Sequence, residues 1–268
     1  MRLATNHPFR LLAVALVLAG GAPACAQSGP LAGMGIVLMH GKGGRPGGNI
    51  GGLAAALEAQ GARVIMPTMA WSGSRGVPTS YNITFEQALG DIDGAIGTLR
   101  ARGAKRIVIA GQSLGANAAI AYAARKGGQV AGVMALAPGH TPDRNRRPEL
   151  LQAVVEARAQ VAAGQGTARG AFPDSNQGQV FSVPGTVAGW FSYYDANGTA
   201  NMPKNAARLT QPLLYVIGTS DPLIFAGRAY IFSQARAHPK SRYVEVNAGH
   251  LDTPETARDD VVSWLKGL

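Results

Sequence analysis

Residues 108–118, V-I-A-G-Q-S-L-G-A-N-A, leave the backbone few paths. An apolar run suited to a buried strand reaches Gly111, and an alanine-rich helical pattern begins at Ala116. To pass from strand to helix so abruptly the chain must turn at Ser113 through sparsely populated backbone space. Side chains two residues to either side would then collide with the strand or helix, and Gly111 and Gly115 remove them. In a chain with 36 glycines the bare G-x-S-x-G spacing says little. The strand before it and the helix after it carry the inference that Ser113 is a candidate nucleophile raised at a strand end.

Other apolar runs repeat this arrangement. Residues 35–39, 63–66, 106–110, 130–136, 213–217 and 243–246 are nearly continuous in Val, Ile, Leu and Met rather than alternating, as strands buried on both faces require. Helical patterns over 52–60, 85–101, 116–126, 228–237 and 253–266 separate most of them or close the chain. Strand and helix alternating in this way predict an α/β fold: a mostly parallel, doubly wound sheet of about six strands with helices on both faces. The length of 268 residues fits one such domain, and 46% apolar residues suffice to fill its core.

Residues 1–26 stand apart from that domain, which begins at residue 27. Arg2 and Arg10, the apolar stretch 11–18 and the small residues Ala24-Cys25-Ala26 read as a secretory signal peptide. The expected location is periplasmic or secreted; lipid anchoring through Cys25 is the minority alternative. Cys25 is the single cysteine, so the exported chain has no disulfide framework. The formal charge of +10 loses Arg2 and Arg10 with the signal and stays strongly positive. Its Lys and Arg clusters lack interleaved aromatics, which argues against nucleic-acid binding and for a surface facing anionic envelope components. No later stretch is long and apolar enough for a membrane span.

One segment breaks the rhythm. Residues 139–211 contain a charged turn, an amphipathic helix over 149–163 and a Gly-, Asn- and Pro-rich stretch, together read as an insertion over the sheet. Of 17 aromatics, six fall within 172–194: Phe172, Phe181, Trp190, Phe191, Tyr193 and Tyr194. Aromatics concentrated in an irregular insertion suggest a lid or pocket wall, or else anchors for a long loop. Trp71, Trp190, Phe191 and Tyr194 are the candidate substrate-binding residues.

A serine nucleophile needs a base, and a histidine base needs an acid that holds its tautomer. Of five histidines, His250 follows the last strand in Asn247-Ala248-Gly249-His250, at the sheet edge expected to hold Ser113. Asp221 directly follows another apolar strand in Gly218-Thr219-Ser220-Asp221-Pro222 and completes the order Ser, Asp, His. Asp252 is a weaker substitute, two residues past the histidine. The glycine-rich turn His40-Gly41-Lys42-Gly43-Gly44 can offer an oxyanion donor, Lys42 N–H or Gly43 N–H, to complement Leu114 N–H at the elbow helix. His40 then orients the turn. No Gly-Lys-Ser/Thr ending marks a phosphate loop, and no residues have metal-ligand spacing, so neither metal nor cofactor is expected.

Taken together, H-G-K-G-G at 40–44, G-Q-S-L-G at 111–115, G-T-S-D-P at 218–222 and A-G-H at 248–250 resemble the α/β-hydrolase superfamily over 34–268. The resemblance implies an eight-stranded sheet, a Ser, Asp, His triad and a cap inserted after the strand following the elbow. Residues 27–33 are too few for the first two strands of that pattern, which implies a shortened member. The expected activity is cleavage of a carboxylic ester or related acyl bond in a small-molecule substrate. An acyltransferase or peptidase with the same triad, or a noncatalytic binding module on the same fold, are the rival readings.

Overall fold

The computed structural model describes residues 28–224 and 227–268. The expected signal peptide, with Cys25, lies outside them. In chain order the elements are β1 (Met34–Met39), α1 (Gly51–Ala59), β2 (Arg63–Ile65), β3 (Gly73–Ser74), β4 (Val77–Pro78), α2 (Phe85–Ala88), α3 (Gly90–Ala101), β5 (Arg106–Ser113), α4 (Leu114–Lys126) and β6 (Gly132–Pro138). There follow α5 (Pro148–Ala162), β7 (Arg169–Asn176), β8 (Gln179–Thr186), α6 (Val187–Tyr194), α7 (Met202–Ala206), β9 (Leu213–Gly218), α8 (Gly227–Tyr230), β10 (Arg242–Val246), α9 (Thr253–Thr256) and α10 (Arg258–Lys266).

Six strands form one parallel sheet in the order β10-β9-β6-β5-β1-β2. Because strand side chains alternate between faces, the continuous apolar runs of the sequence supply two cores at once. Val37, Met39, Ile107, Ile109, Val133, Ala135, Leu213, Tyr215 and Ile217 point to one, where α3 and α4 pack. Ile36, Leu38, Val108, Ala110, Met134, Leu136, Leu214 and Val216 point to the other, closed by Leu53 and Leu57 of α1 and Val261, Trp264 and Leu265 of α10. The order reverses between β1 and β5, so the turns leaving these two strands diverge at the carboxyl edge, where open α/β sheets form a ligand crevice.

The pattern over 85–101 is two helices rather than one: Thr84 closes a capping box with Gln87 over α2, and α3 starts at Gly90. The closing helix likewise breaks, at Ala257, into α9 and α10. The helix expected over 228–237 is shorter, α8 plus a 3-10 turn at Phe232–Gln234.

The segment between β6 and β9 departs most from its sequence pattern. Its supposedly irregular stretch contains an antiparallel hairpin of two eight-residue strands, β7 against β8, turning at Gln177 and Gly178 with positive φ of 48° and 85°. Pro173 and Pro184 argue against strands, yet a two-stranded ribbon tolerates proline, which has no N–H, at positions where the ladder needs no donor. Tyr81 pins the ribbon to the body: its N–H donates to Pro184 O (2.9 Å) and its carbonyl accepts Thr186 N–H (3.0 Å).

Candidate active site

The sharp turn sits at Ser113, with φ 56° and ψ −118°, a conformation that is strained for any residue with a Cβ. Both flanking glycines are required by contact. A Cβ on Gly111 would lie 2.2 Å from the Gly115 carbonyl carbon, and one on Gly115 would lie 2.5 Å from Met39 O. The elbow therefore closes on itself and on the end of β1. Gly139, just beyond β6, faces the serine: a Cβ there would be 2.6 Å from Ser113 Oγ and 3.4 Å from His250 Cε1. Hydroxyl and imidazole thus border one small space that the missing side chain leaves open.

His250 and Asp221 come together from the ends of β10 and β9. His250 Nδ1–H donates to Asp221 Oδ2 at 2.6 Å, and Leu223 N–H donates to Asp221 Oδ1 at 2.8 Å. Since a carboxylate only accepts, Nδ1 carries the proton of this bond, and in the neutral ring the lone pair is then on Nε2. Asp221 is buried, and the fit of its loop depends on Gly218, where a Cβ would lie 2.2 Å from Ala248 O. Gln112 Nε2 donates to His250 O (3.2 Å), tying elbow and histidine loop. Asp252, by contrast, is exposed.

The turn after β1 passes directly over the elbow, with Gly41 so close that a Cβ would meet Ser113 Cβ at 3.0 Å. Gly43 N–H donates to Trp71 O (2.9 Å) and Gly44 N–H to Gly41 O (3.1 Å), which leaves Lys42 N–H uncommitted among these three amides. Leu114 N–H, in the first turn of α4, has no intrahelical acceptor. His40 is buried; its Nε2 accepts Met69 N–H (3.3 Å) and Ser72 Oγ lies 2.9 Å away, so Nδ1–H donates to Gly41 O (2.8 Å). Burial lowers its pKa, in keeping with a neutral ring that orients the turn.

The Lys42 side chain carries a feature the sequence did not reveal. Its ammonium is buried and contacts Asp174 Oδ1 (2.6 Å), Tyr194 OH (3.1 Å) and Ser175 O (3.2 Å). Asp174 also accepts Tyr81 OH (2.7 Å), Ser175 N–H (2.6 Å) and Tyr194 OH. Burial works against the carboxylate, but Lys42 and the hydroxyls outweigh it and hold the carboxyl below its usual range. Nearby, His140 is held at φ 61° between Tyr193 and Tyr194 and donates from Nε2 to Tyr193 O (2.7 Å). Burial, reinforced by Lys42, lowers its pKa to about 3.

A cavity of 760 Å³ borders Ser113, His250 and Asp221, walled by Leu223, Leu251, Pro142, Tyr194 and the hairpin tip 175–178. Of the four aromatics expected to line it, Tyr194 does. Trp71 is instead fully buried, its indole N–H donating to His40 O (2.9 Å) and its ring tilted on Phe85. Trp190 is fully buried too, stacked between Phe172 and Tyr194 with its N–H on Pro173 O. Phe191 lies outside the cavity, under Arg158. Large rings with a polar tip bury the most area when that tip finds a carbonyl, and both tryptophans found one. Among the described residues no three His, Cys, Asp or Glu side chains group to hold a metal ion.

Solved structures repeat this architecture. An α/β hydrolase GrgF from Penicillium sp. sh18 superposes with a TM-score of 0.65 at 17% identity, covering 87% of this chain and 89% of the other. A Paleococcus ferrophilus monoacylglycerol lipase gives 0.63 at 21%, covering 87% and 94%. The enol-lactonase from Burkholderia xenovorans LB400 gives 0.56 at 23%, covering 86% and 90%. At such identities the likeness speaks for the fold alone. No curated protein sequence matches the chain. The sequence profile of the Alpha/beta hydrolase family matches residues 36–264, nearly the whole described length, and the chain belongs to that family.

Proposed function

We propose that the protein is an exported serine hydrolase that cleaves a carboxylic ester, or a related acyl bond, through an acyl-serine intermediate. The observation that carries this reading is the His250 to Asp221 bond of 2.6 Å, formed beside a serine held at positive φ. With the imidazole proton fixed on Nδ1, Nε2 can take the proton of Ser113 Oγ as the oxygen attacks the carbonyl carbon. Charge then develops on the carbonyl oxygen, and the amides of Lys42 and Leu114 are the donors proposed for it. Collapse expels the alcohol with the proton from His250, and water attacks the acyl-serine by the same steps in reverse.

Export rests on the pattern of residues 1–26, and among the described residues no helix is long and apolar enough to cross a membrane. N-terminal sequencing of protein recovered outside the cytoplasm should begin near Gln27; retention of residues 1–26 would remove this part. For the chemistry, 4-nitrophenyl esters of graded acyl length should be hydrolysed by the wild type. Ser113→Ala should lose that turnover by several orders of magnitude with its folding transition intact. A Ser113→Ala protein of near wild-type activity would exclude the mechanism.

A further inference from the structure

A second cavity, of 500 Å³, shares Lys42, Ser113, Asn176, Gln177, His250 and Leu251 with the first but extends over the turn after β1 and the β3–β4 ribbon. No aspartate or glutamate lines it, whereas Arg45 and Arg75 do. Lys42, the third cation, is already neutralised by Asp174. Both arginines are exposed at the cavity wall, and among the described residues neither guanidinium has a hydrogen-bond or ion-pair partner.

Arg75 holds its place under strain. It has φ 52°, followed by Gly76 at 79°, so a long cationic side chain occupies the left-handed position of a tight ribbon turn that Asn or Gly would fill with less strain. The turn itself is fixed against the reactive centre. Gly73 N–H donates to Gly44 O (3.1 Å), Asn176 Nδ2 donates to Gly76 O (2.9 Å), and Gly43 packs so closely that a Cβ would lie 2.1 Å from the Gly76 carbonyl carbon. The ribbon that carries Arg75 is thereby locked to the same turn that carries Arg45 and Lys42.

We propose that the substrate bears an anionic group, a carboxylate or phosphate, on the arm that enters this second cavity, where Arg45 and Arg75 bind it while the scissile carbonyl sits at Ser113. A guanidinium fork matches two oxygens of either group, and two forks on a rigid frame read both charge and position. The inference rests on the ester-hydrolase reading and gives that site its substrate class.

Two matched ester pairs test it at low ionic strength. The 4-nitrophenyl monoester of glutaric acid against 4-nitrophenyl valerate carries the anion on the acyl side. The anion 4-acetoxybenzoate against its methyl ester carries it on the alcohol side. Inhibition by inorganic phosphate compared with glutarate distinguishes the two anions. The wild type should favour the charged member of one pair in kcat/KM by about tenfold, the product of two contacts each worth about threefold. That ratio should fall toward one in the Arg45→Gln/Arg75→Asn variant, and in wild type at high salt. The control Arg102→Gln/Arg106→Gln removes the same charge at the opposite edge of the sheet and should keep the ratio. Preference for the neutral member of both pairs, a ratio that survives in Arg45→Gln/Arg75→Asn, or equal loss in the control would overturn the proposal. If instead Ser113→Ala hydrolyses these esters like wild type, the hydrolase reading itself fails.

Discussion

Replacing Asp174 by Asn should unlock the contact between the turn after β1 and the β7–β8 hairpin. The carboxylate is fully buried and receives donors from Lys42, Tyr81, Tyr194 and Ser175, so an amide in its place turns one NH2 group toward donors and leaves the Lys42 ammonium without a counter-charge. Removing one partner of a buried ion pair costs about 3–5 kcal/mol. For a chain of this size each kcal/mol moves Tm by about 2–4 °C, so the expected fall is roughly 6–20 °C. Differential scanning calorimetry of wild type, Asp174→Asn, Lys42→Met and the double variant reads both the loss and the coupling. The double variant should be more stable than the sum of the single losses implies, because it no longer buries an unpaired charge. The acid limb should change as well. As pH falls, the unfolded chain binds the Asp174 proton before the folded chain does, so this contribution is complete above about pH 4 and fades below it. Asp174→Asn should flatten that limb. A variant within about 2 °C of wild type at neutral pH, with an unchanged acid limb, would refute the reasoning.

Asp221→Asn should lower turnover by roughly three to four orders of magnitude, because an amide opposite Nδ1 favours the wrong tautomer, whereas Asp252→Asn should cost less than about tenfold; steady-state kinetics on one ester decides between them. Gly139→Ala should lower kcat by at least about tenfold with little change in Tm, since the new Cβ 2.6 Å from Ser113 Oγ rotates the hydroxyl away without touching the core. His140 stays neutral in the fold down to about pH 3 while the unfolded imidazole protonates from 6.5, so stability drops as pH falls through that window. His140→Asn, which keeps a residue suited to positive φ, should make that drop shallower in urea titrations at pH 7, 5 and 4.

The parts of the site that sequence reading reached are those with a local signature. Ser113 ends one apolar strand and Asp221 and His250 closely follow two others, and a parallel sheet delivers all such ends to one edge, so strand ends and chain order suffice to bring these three candidates together. Sequence alone does not separate Gly43 from Lys42 as an oxyanion donor, because it says nothing of Trp71 O, the acceptor that engages the Gly43 N–H. Asp174 left no local trace. It meets Lys42 across 132 residues, in a ribbon whose prolines and glycines mask its period. The aromatics depart from expectation for a related reason: composition marks Trp71 and Trp190 as large rings suited to a pocket wall, but their indole N–H groups donate to the carbonyls of His40 and Pro173 and the rings lie in the core. Removing residues 172–194 would therefore break the core, and the hairpin tip at 175–178 is the part open to substitution.

The central claim is that Ser113 becomes covalently acylated. A fluorophosphonate, which reacts only where a serine oxygen is activated by a base beside an oxyanion site, should add one equivalent to the wild type and abolish ester hydrolysis. Peptide mapping should place that adduct on Ser113, with none in Ser113→Ala and slow labelling in His250→Gln. An adduct on another serine, or hydrolysis that continues in fully labelled protein, would contradict the account.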